Sequence, residues 1–122
     1  MPVTYKFEAT IVLISLAGEY LIEELRRTID DALADPGYPS HARLIIDLSR
    51  SKSIVRRTND EIKSVAEFLV TKADRFGHRL ALVAAQDLTY GILRMTSVGS
   101  ENQGVESGVF RSVEEARAWI LS

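Results

Sequence analysis

The densest group of side chains with binding chemistry lies in the segment Ser49–Thr58, which is basic and holds Arg50, Lys52, Arg56 and Arg57. It follows an apolar, β-branched run and precedes a helical pattern, so we expect it where a strand ends and a helix begins. Ligands of open α/β sheets gather at the carboxyl ends of strands, and a helix N-terminus offers free amides to an anion. The segment therefore predicts an anion site or a docking patch for an acidic partner. The commoner alternative is a solvated loop whose cations balance neighbouring carboxylates.

Two further groups could contribute to a ligand site at the same sheet edge. Tyr90 and Arg94 are four residues apart on a short predicted helix, so they would lie on one side of it. The more frequent arrangement is a core tyrosine next to a surface arginine. Asp47 closes the central apolar run and could act as a general base. Such a carboxylate more often accepts hydrogen bonds from amides of the following loop.

Sequence motifs that bind nucleotides, metals or acyl groups are absent. The chain has no Gly-x-x-x-x-Gly-Lys-Ser/Thr loop, no Gly-x-Gly-x-x-Gly turn and no Gly-x-Ser-x-Gly elbow. His41 and His78 each precede a strand without a second ligand at metal-binding spacing, and cysteine is missing altogether. We therefore predict no catalytic residue, no metal and no cofactor, and a binding or regulatory role in place of an enzymatic one.

Composition limits the other function classes. The chain has 122 residues, a net charge of -2 and an isoelectric point of about 5.7, so it lacks the basic field that holds DNA or RNA. The first residues do not have the pattern of a signal peptide. The longest apolar run, Ile11–Leu16, is too short to cross a bilayer. The lack of cysteine fits a reducing compartment. We predict a cytoplasmic protein with no nucleic-acid partner and no stable membrane insertion.

Hydrophobic periodicity alternates between strand and helix along the chain. Strands are predicted over Thr4–Glu8, Thr10–Leu16, Arg43–Leu48, Arg79–Ala84 and Val105–Phe110. Helices are predicted along the apolar stripe of Leu21–Leu33, after the capping boxes Thr58–Glu61 and Ser112–Glu115, and from Asp87. The polar, glycine-containing stretch Val98–Gly104 is predicted as a loop.

Strands that alternate with helices require a mainly parallel sheet with right-handed crossovers. The first two strands are close enough in sequence to pair as an antiparallel hairpin, with the first at the sheet edge. The predicted fold is therefore one α/β domain over 1–122 with four or five strands in roughly sequential order and about four helices. A homodimer is a further prediction, because it would cover any apolar sheet face that the helices leave open.

The order of these elements and several short motifs resemble a known family. After the hairpin, the motifs are Leu44–Leu48, Arg79–Ala84, Leu88–Gly91 with Arg94 and Met95, Gly108–Phe110 and Glu114–Ile120. This layout resembles STAS domains, which have the SpoIIAA-like fold, and small bacterial STAS-like proteins grouped with the CRAL-TRIO lipid-binding fold. The resemblance implies a regulatory or interaction module without catalysis. The likeness to CRAL-TRIO proteins adds an alternative, a carrier of a lipid or other small apolar ligand near Tyr90 and the second helix. The basic segment adds a second alternative, a small-anion or nucleotide-binding domain.

The resemblance also bears on phosphorylation. Anti-sigma-factor antagonists of this fold carry Asp-Ser-Ser-Gly at the start of the helix after the central strand, and phosphorylation of one serine switches partner binding. The corresponding stretch here is Val55–Asn59, which lacks that motif and offers Thr58 as its only hydroxyl. The resemblance therefore makes Thr58 a candidate phosphorylation site. Phosphate at a helix N-terminus next to Arg56 and Arg57 would be electrostatically favourable.

Overall fold

The computed structural model describes residues 2–51, 57–101 and 104–122 of the chain. The strands are β1 (Val3–Glu8), β2 (Ile11–Ala17), β3 (Arg43–Arg50), β4 (Arg79–Val83) and β5 (Glu106–Phe110). The helices are α1 (Ile22–Ala34), α2 (Asn59–Thr71), α3 (Asp87–Glu101) and α4 (Val113–Ile120). Within these residues, no helix has the length and apolarity needed to cross a membrane.

The strands form one sheet in the order β1-β2-β3-β4-β5. The β1–β2 pair is antiparallel and joined by a tight turn, and the remaining pairs are parallel. This topology confirms the predicted α/β fold with an antiparallel edge strand. In the centre of the sheet, Leu13 pairs with Ile45 and Ile45 pairs with Ala81, so β3 is flanked by parallel neighbours on both sides.

The order of the strands decides where the helices lie. A right-handed crossover that always moves to the next strand in the same direction places every connecting helix on the same face. Buried residues of α1, α2 and α3, such as Leu25, Leu69 and Leu93, accordingly share one core with Ile14 and Ile46 of the sheet. On the opposite face, α4 forms a smaller core with strand residues; that core comprises Ile11, Leu13, Ile45, Ala81, Val83, Ala116 and Ile120.

The prediction of a loop over Val98–Gly104 is wrong for residues 98–101, because α3 continues to Glu101. A glycine in a helix interior, such as Gly99, costs only about 1 kcal/mol relative to alanine. This cost is too small to end a helix whose earlier turns are packed into the core, and in α3 those turns hold Thr89, which is 1% exposed, and Leu93, which is 4% exposed. Gly104 follows in a turn with a positive φ of 90°.

The α2 helix ends well before Gly77, the first glycine that follows it. The helix stops at Thr71, and a short 3-10 turn, Ala73–Phe76, connects it to Gly77. Gly77 adopts the left-handed conformation with φ of 66°, so it closes the 3-10 turn and not the helix itself. The 3-10 turn places the side chain of Phe76 in the core, where its buried ring shares one cluster with residues of α1 and β3.

Arg79, at the start of β4, fastens the C-terminus of α4 to the sheet. Its guanidinium donates to the carbonyls of Trp119 and Ile120 at 3.3 Å each and to that of Ser122 at 2.9 Å. It lies 4.3 Å from the centre of the Trp119 ring and is paired with Glu106 at 3.2 Å. The last carbonyls of a helix have no partner within it, so a cation placed here satisfies them and complements the helix dipole.

We expect Arg79→Met to lower the free energy of unfolding by about 2 kcal/mol, because it removes charge-assisted hydrogen bonds to the end of α4. Urea unfolding monitored by the fluorescence of Trp119 measures the change. The control is Arg27→Met at an exposed position of α1, which should change stability by less than about 0.5 kcal/mol. Equal losses in the two variants would contradict the role given to Arg79.

Candidate functional site

The loops that follow β2 and β3 meet at the carboxyl edge of the sheet. Ala17 pairs with Arg50, the Gly18 amide donates to the Arg50 carbonyl at 3.0 Å, and the Ser51 hydroxyl donates to the Gly18 carbonyl at 2.7 Å. The start of the predicted basic segment therefore lies at the expected edge, where Arg50 is exposed. Lys52 and Arg56 lie outside the described residues.

A cavity of about 80 Å³ lies between the sheet and the helices on its three-helix face. Its walls come from β2, β3, β4 and β5 of the sheet, the start of α1 with the residue Tyr20 before it, the inner side of α2 and one residue of α3. The lining residues are Leu16, Tyr20, Ile22, Leu25, Ile46, Leu48, Arg57, Ile62, Val65, Ala66, Leu69, Leu80, Leu82, Leu93 and Ser107. Nearly all of these side chains are apolar, and the cavity is only partly enclosed.

Arg57 is the one charged residue among the described residues that line the cavity. Its side chain is 15% exposed and forms an ion pair with Glu61 at 3.2 Å. One terminal nitrogen donates to the Tyr20 carbonyl, and the guanidinium carbon lies 4.8 Å from the centre of the Tyr20 ring. The Nε atom of Arg57 is buried and has no hydrogen-bond partner among the described residues. These contacts hold the cation at the boundary between the apolar cavity and the start of α2.

Thr58 forms the N-cap of α2, and the predicted capping box is confirmed. The Thr58 hydroxyl accepts from the Glu61 amide at 3.1 Å, and the Glu61 carboxylate accepts from the Thr58 amide at 3.0 Å. The amide of Thr58 is the main reason why the pKa of Glu61 lies below its usual value, with the guanidinium of Arg57 as a further cause. Thr58 is exposed, and its phosphorylation remains a prediction.

Tyr90 and Arg94 lie together on α3, as predicted, and a third residue joins them. The guanidinium of Arg111 is 4.0 Å from the centre of the Tyr90 ring, while that of Arg94 is at 5.8 Å. Arg111 also pairs with Asp87 at 2.8 Å. Sequence reasoning missed Arg111, although it directly follows the last strand and therefore had to lie at the carboxyl edge.

Tyr90 is not among the described residues that line the cavity, whose α3 contribution is Leu93. The cavity therefore lies next to the second helix, as the apolar-ligand alternative requires, but Tyr90 lies outside its walls. The ligand-binding roles of Tyr90 and Arg94 remain predictions.

Asp47 has the structural contact that sequence reasoning favoured. Its carboxylate accepts a hydrogen bond from the Ser49 amide at 2.9 Å and so shapes the chain as it leaves β3. His41 and His78 both have positive φ angles, of 56° and 59°, and His78 lies 2.9 Å from Asp74. In the described ranges, no three acidic, histidine or cysteine side chains come close enough together to hold a metal ion.

Two other carboxylates are held by specific donors. The hydroxyl of Tyr5 donates to Asp35 at 2.7 Å, which lowers the pKa of Asp35, and the Gly37 amide adds to the effect. The hydrogen bond from Arg117 lowers the pKa of Glu8. The Glu8–Arg117 pair connects the edge strand β1 to α4.

The order and pairing of the strands, with three helices on one face and one on the other, define a SpoIIAA-like α/β fold. The chain is similar to the crystal structure of an uncharacterised protein from the DUF3478 family of Shewanella loihica PV-4, which has a SpoIIAA-like fold. The TM-score is 0.62 at 14% identity, and the alignment covers 97% of this chain and 91% of the other. No family model and no curated protein matches the sequence. At this identity the likeness shows the fold alone, and the link to CRAL-TRIO proteins remains a prediction.

We expect Thr58→Ala to destabilise the protein by about 1 kcal/mol, because it removes the side-chain acceptor at the start of α2. Thr58→Ser keeps the hydroxyl and should retain most of the stability. Thermal and urea unfolding of the two variants measure the difference. Identical stability of the alanine and serine variants would contradict the capping role.

The three carboxylates with lowered pKa values predict acid sensitivity. Glu8, Asp35 and Glu61 bind protons more readily when the chain unfolds, so their stabilising contribution is present above the ordinary carboxyl range. It is lost as the pH falls from about 5 towards 3. Glu61→Gln keeps an acceptor for the Thr58 amide but does not titrate. Urea unfolding across this pH range should show a shallower decline for Glu61→Gln, and a decline equal to that of the wild type would be evidence against the assignment.

Proposed function

We propose that this chain is a STAS-type binding module without catalysis, and that its ligand is a small molecule with an apolar body held in the cavity. The observation that carries the proposal is the cavity itself, which lies on the three-helix face next to the carboxyl edge of the sheet. Binding sites for small molecules are typically concave, mostly apolar and supplied with a few polar groups. Here the lining residues that carry polar groups are Arg57, Ser107 and Tyr20.

The unfilled space of the cavity supports a role beyond packing. Side chains that line a void lack part of the dispersion contacts that a filled core would give them. An apolar ligand would restore the dispersion contacts that the lining residues lack.

The case against catalysis is chemical. Asp47, the one carboxylate that the sequence offered as a general base, is engaged by the Ser49 amide. The cavity walls described here bring Arg57 next to apolar side chains, and they hold neither a histidine nor a carboxylate that could move a proton at a bound molecule. This arrangement suits binding and orientation of a ligand. We retain a cytoplasmic location as part of the proposal.

Regulation through a protein partner, the leading hypothesis from the sequence, has less support at the surface. Phe68 is half-buried, with Arg26 at 5.7 Å and Lys72 at 5.6 Å from its ring centre, so it is covered by cations. Among the residues whose side chains the structure describes, the large apolar ones that are exposed lie far apart in sequence: Leu21, Leu88 and Leu121. Partner binding, a small-anion or nucleotide ligand, and a homodimer therefore remain predictions.

Titration with benzene, a small neutral apolar probe, tests the proposal. We expect saturable chemical-shift changes in the amide NMR spectrum of the wild type and their loss in Ala66→Phe, because the new ring would occupy the cavity from α2. Ala118→Phe places the same ring at an exposed position of α4 on the opposite sheet face and should bind the probe like the wild type. Melting temperatures check that both variants fold. Equal probe binding by the two variants, or no binding by the wild type, would refute the proposed function.

A further inference from the structure

We propose that Arg57 makes the cavity selective for a small neutral carbonyl compound, a molecule with one compact ring and an uncharged oxygen acceptor, such as a cyclic ketone. The inference rests on the proposed function, because the ring must occupy the apolar cavity, and it adds the chemical class of the ligand. It depends on Arg57 being the charged residue of the described lining, placed where that lining reaches the start of α2.

The volume of the cavity limits the ligand to a compact body. The space is about 80 Å³. An engineered apolar cavity of roughly 150 Å³ holds one benzene molecule. The ligand is therefore a ring no larger than benzene, with part of it at the open side of the cavity, and an extended alkyl chain does not fit. The polar atom of so small a ligand lies close to the walls, so the few polar groups of the lining decide what is bound.

The charge of Arg57 is matched within the protein, which favours a neutral ligand. Its guanidinium forms an ion pair with Glu61 at 3.2 Å. An anionic ligand would place a second negative charge beside the Glu61 carboxylate, and a cationic ligand would place a second positive charge beside the guanidinium. In both cases the ligand would lose hydration without gaining an opposite charge of its own, which is costly in apolar surroundings.

Hydrogen-bond donors of Arg57 are left over although its charge is not. An arginine carries five N–H donors. The contacts described for its terminal nitrogens are one bond each, to the Glu61 carboxylate and to the Tyr20 carbonyl. The Nε atom is buried and has no acceptor in the described part of the chain. A carbonyl oxygen supplies an acceptor without bringing a donor that would itself need a partner.

The same contacts hold the guanidinium in place before a ligand arrives. Its carbon lies 4.8 Å from the centre of the Tyr20 ring, and the Arg57 side chain is 15% exposed. A fixed donor loses little conformational entropy on binding. A site that pairs a buried donor with the acceptor of its ligand also discriminates against an analogue without the acceptor, because the donor then stays unpaired.

The test compares four ligands that share a cyclopentane ring: cyclopentanone, its isostere methylenecyclopentane, cyclopentanecarboxylate and cyclopentylammonium. Each is titrated into the wild type, Arg57→Met, Glu61→Gln and the exposed control Arg27→Met, and amide NMR chemical shifts give the dissociation constants. The decisive quantity is the ratio of the dissociation constants of the ketone and the alkene. Comparing this ratio between variants cancels the difference in hydration of the two ligands.

Arg57→Met should shift this ratio towards the alkene by about fivefold, the effect of losing one hydrogen bond. Arg27→Met, at an exposed position, should leave it unchanged. The wild type should bind the carboxylate and the ammonium compound more weakly than the ketone, by about tenfold or more.

Glu61→Gln provides a second measurement, which keeps the test valid if Arg57→Met fails to fold. It leaves the charge of Arg57 unmatched while keeping an amide acceptor for the helix cap. The carboxylate should therefore gain about fivefold in affinity relative to the ketone, because it now meets a cation that no other group shares.

The outcomes separate the inference from the proposed function. An unchanged ketone-to-alkene ratio in Arg57→Met would overturn the role of Arg57 but leave an apolar-ligand site. Tighter binding of the carboxylate than of the ketone by the wild type would overturn the neutral class, and so would a Glu61→Gln variant in which the carboxylate gains nothing. Failure of both neutral ligands to bind the wild type would overturn the proposed function together with the inference.

Discussion

The parallel pairing of β3 with β2 and β4 is the constraint on which the rest of the molecule depends. Because the strands follow one another across the sheet, each right-handed crossover returns its helix to the same face. The chain therefore builds one face with three helices and leaves the other to α4. The parallel pairing also brings the carboxyl ends of β2 and β3 side by side. Tyr20 and Arg57, which follow these two ends, therefore come into contact although they are 37 positions apart in the sequence. The cavity lies above this junction.

Local chemistry made much of the fold predictable. The hairpin follows from the alternation in Thr4–Glu8, the start of α2 from Thr58 and Glu61, and the structural contact of Asp47 from its position at the end of an apolar run. In each case the interacting residues, or the paired strands, are close neighbours in sequence, so a local pattern is enough to predict the contact. The SpoIIAA-like topology then follows from alternation of strands and helices with few alternatives.

The features that escaped prediction depend on contacts between distant elements. The length of α3 is set by how its first turns are buried and not by Gly99. Arg111 joins Tyr90 because β5 ends beside α3, and Arg57 becomes part of an apolar cavity because α2 crosses the ends of β2 and β3. The basic segment Ser49–Thr58 predicted a site at the carboxyl edge of the sheet. Its pattern of charges could not show that the side chain of Arg57 is largely buried next to an apolar cavity.

The docking of α4 has a consequence for partial unfolding. Its Arg117 reaches Glu8 across 109 positions, and its apolar side covers Leu13, Ile45 and Ala81. If α4 detaches while the sheet persists, this face of the sheet is bare. Apolar surface that is exposed in a partly folded chain promotes aggregation. Detachment of α4 is therefore a local opening that would expose this protein to aggregation.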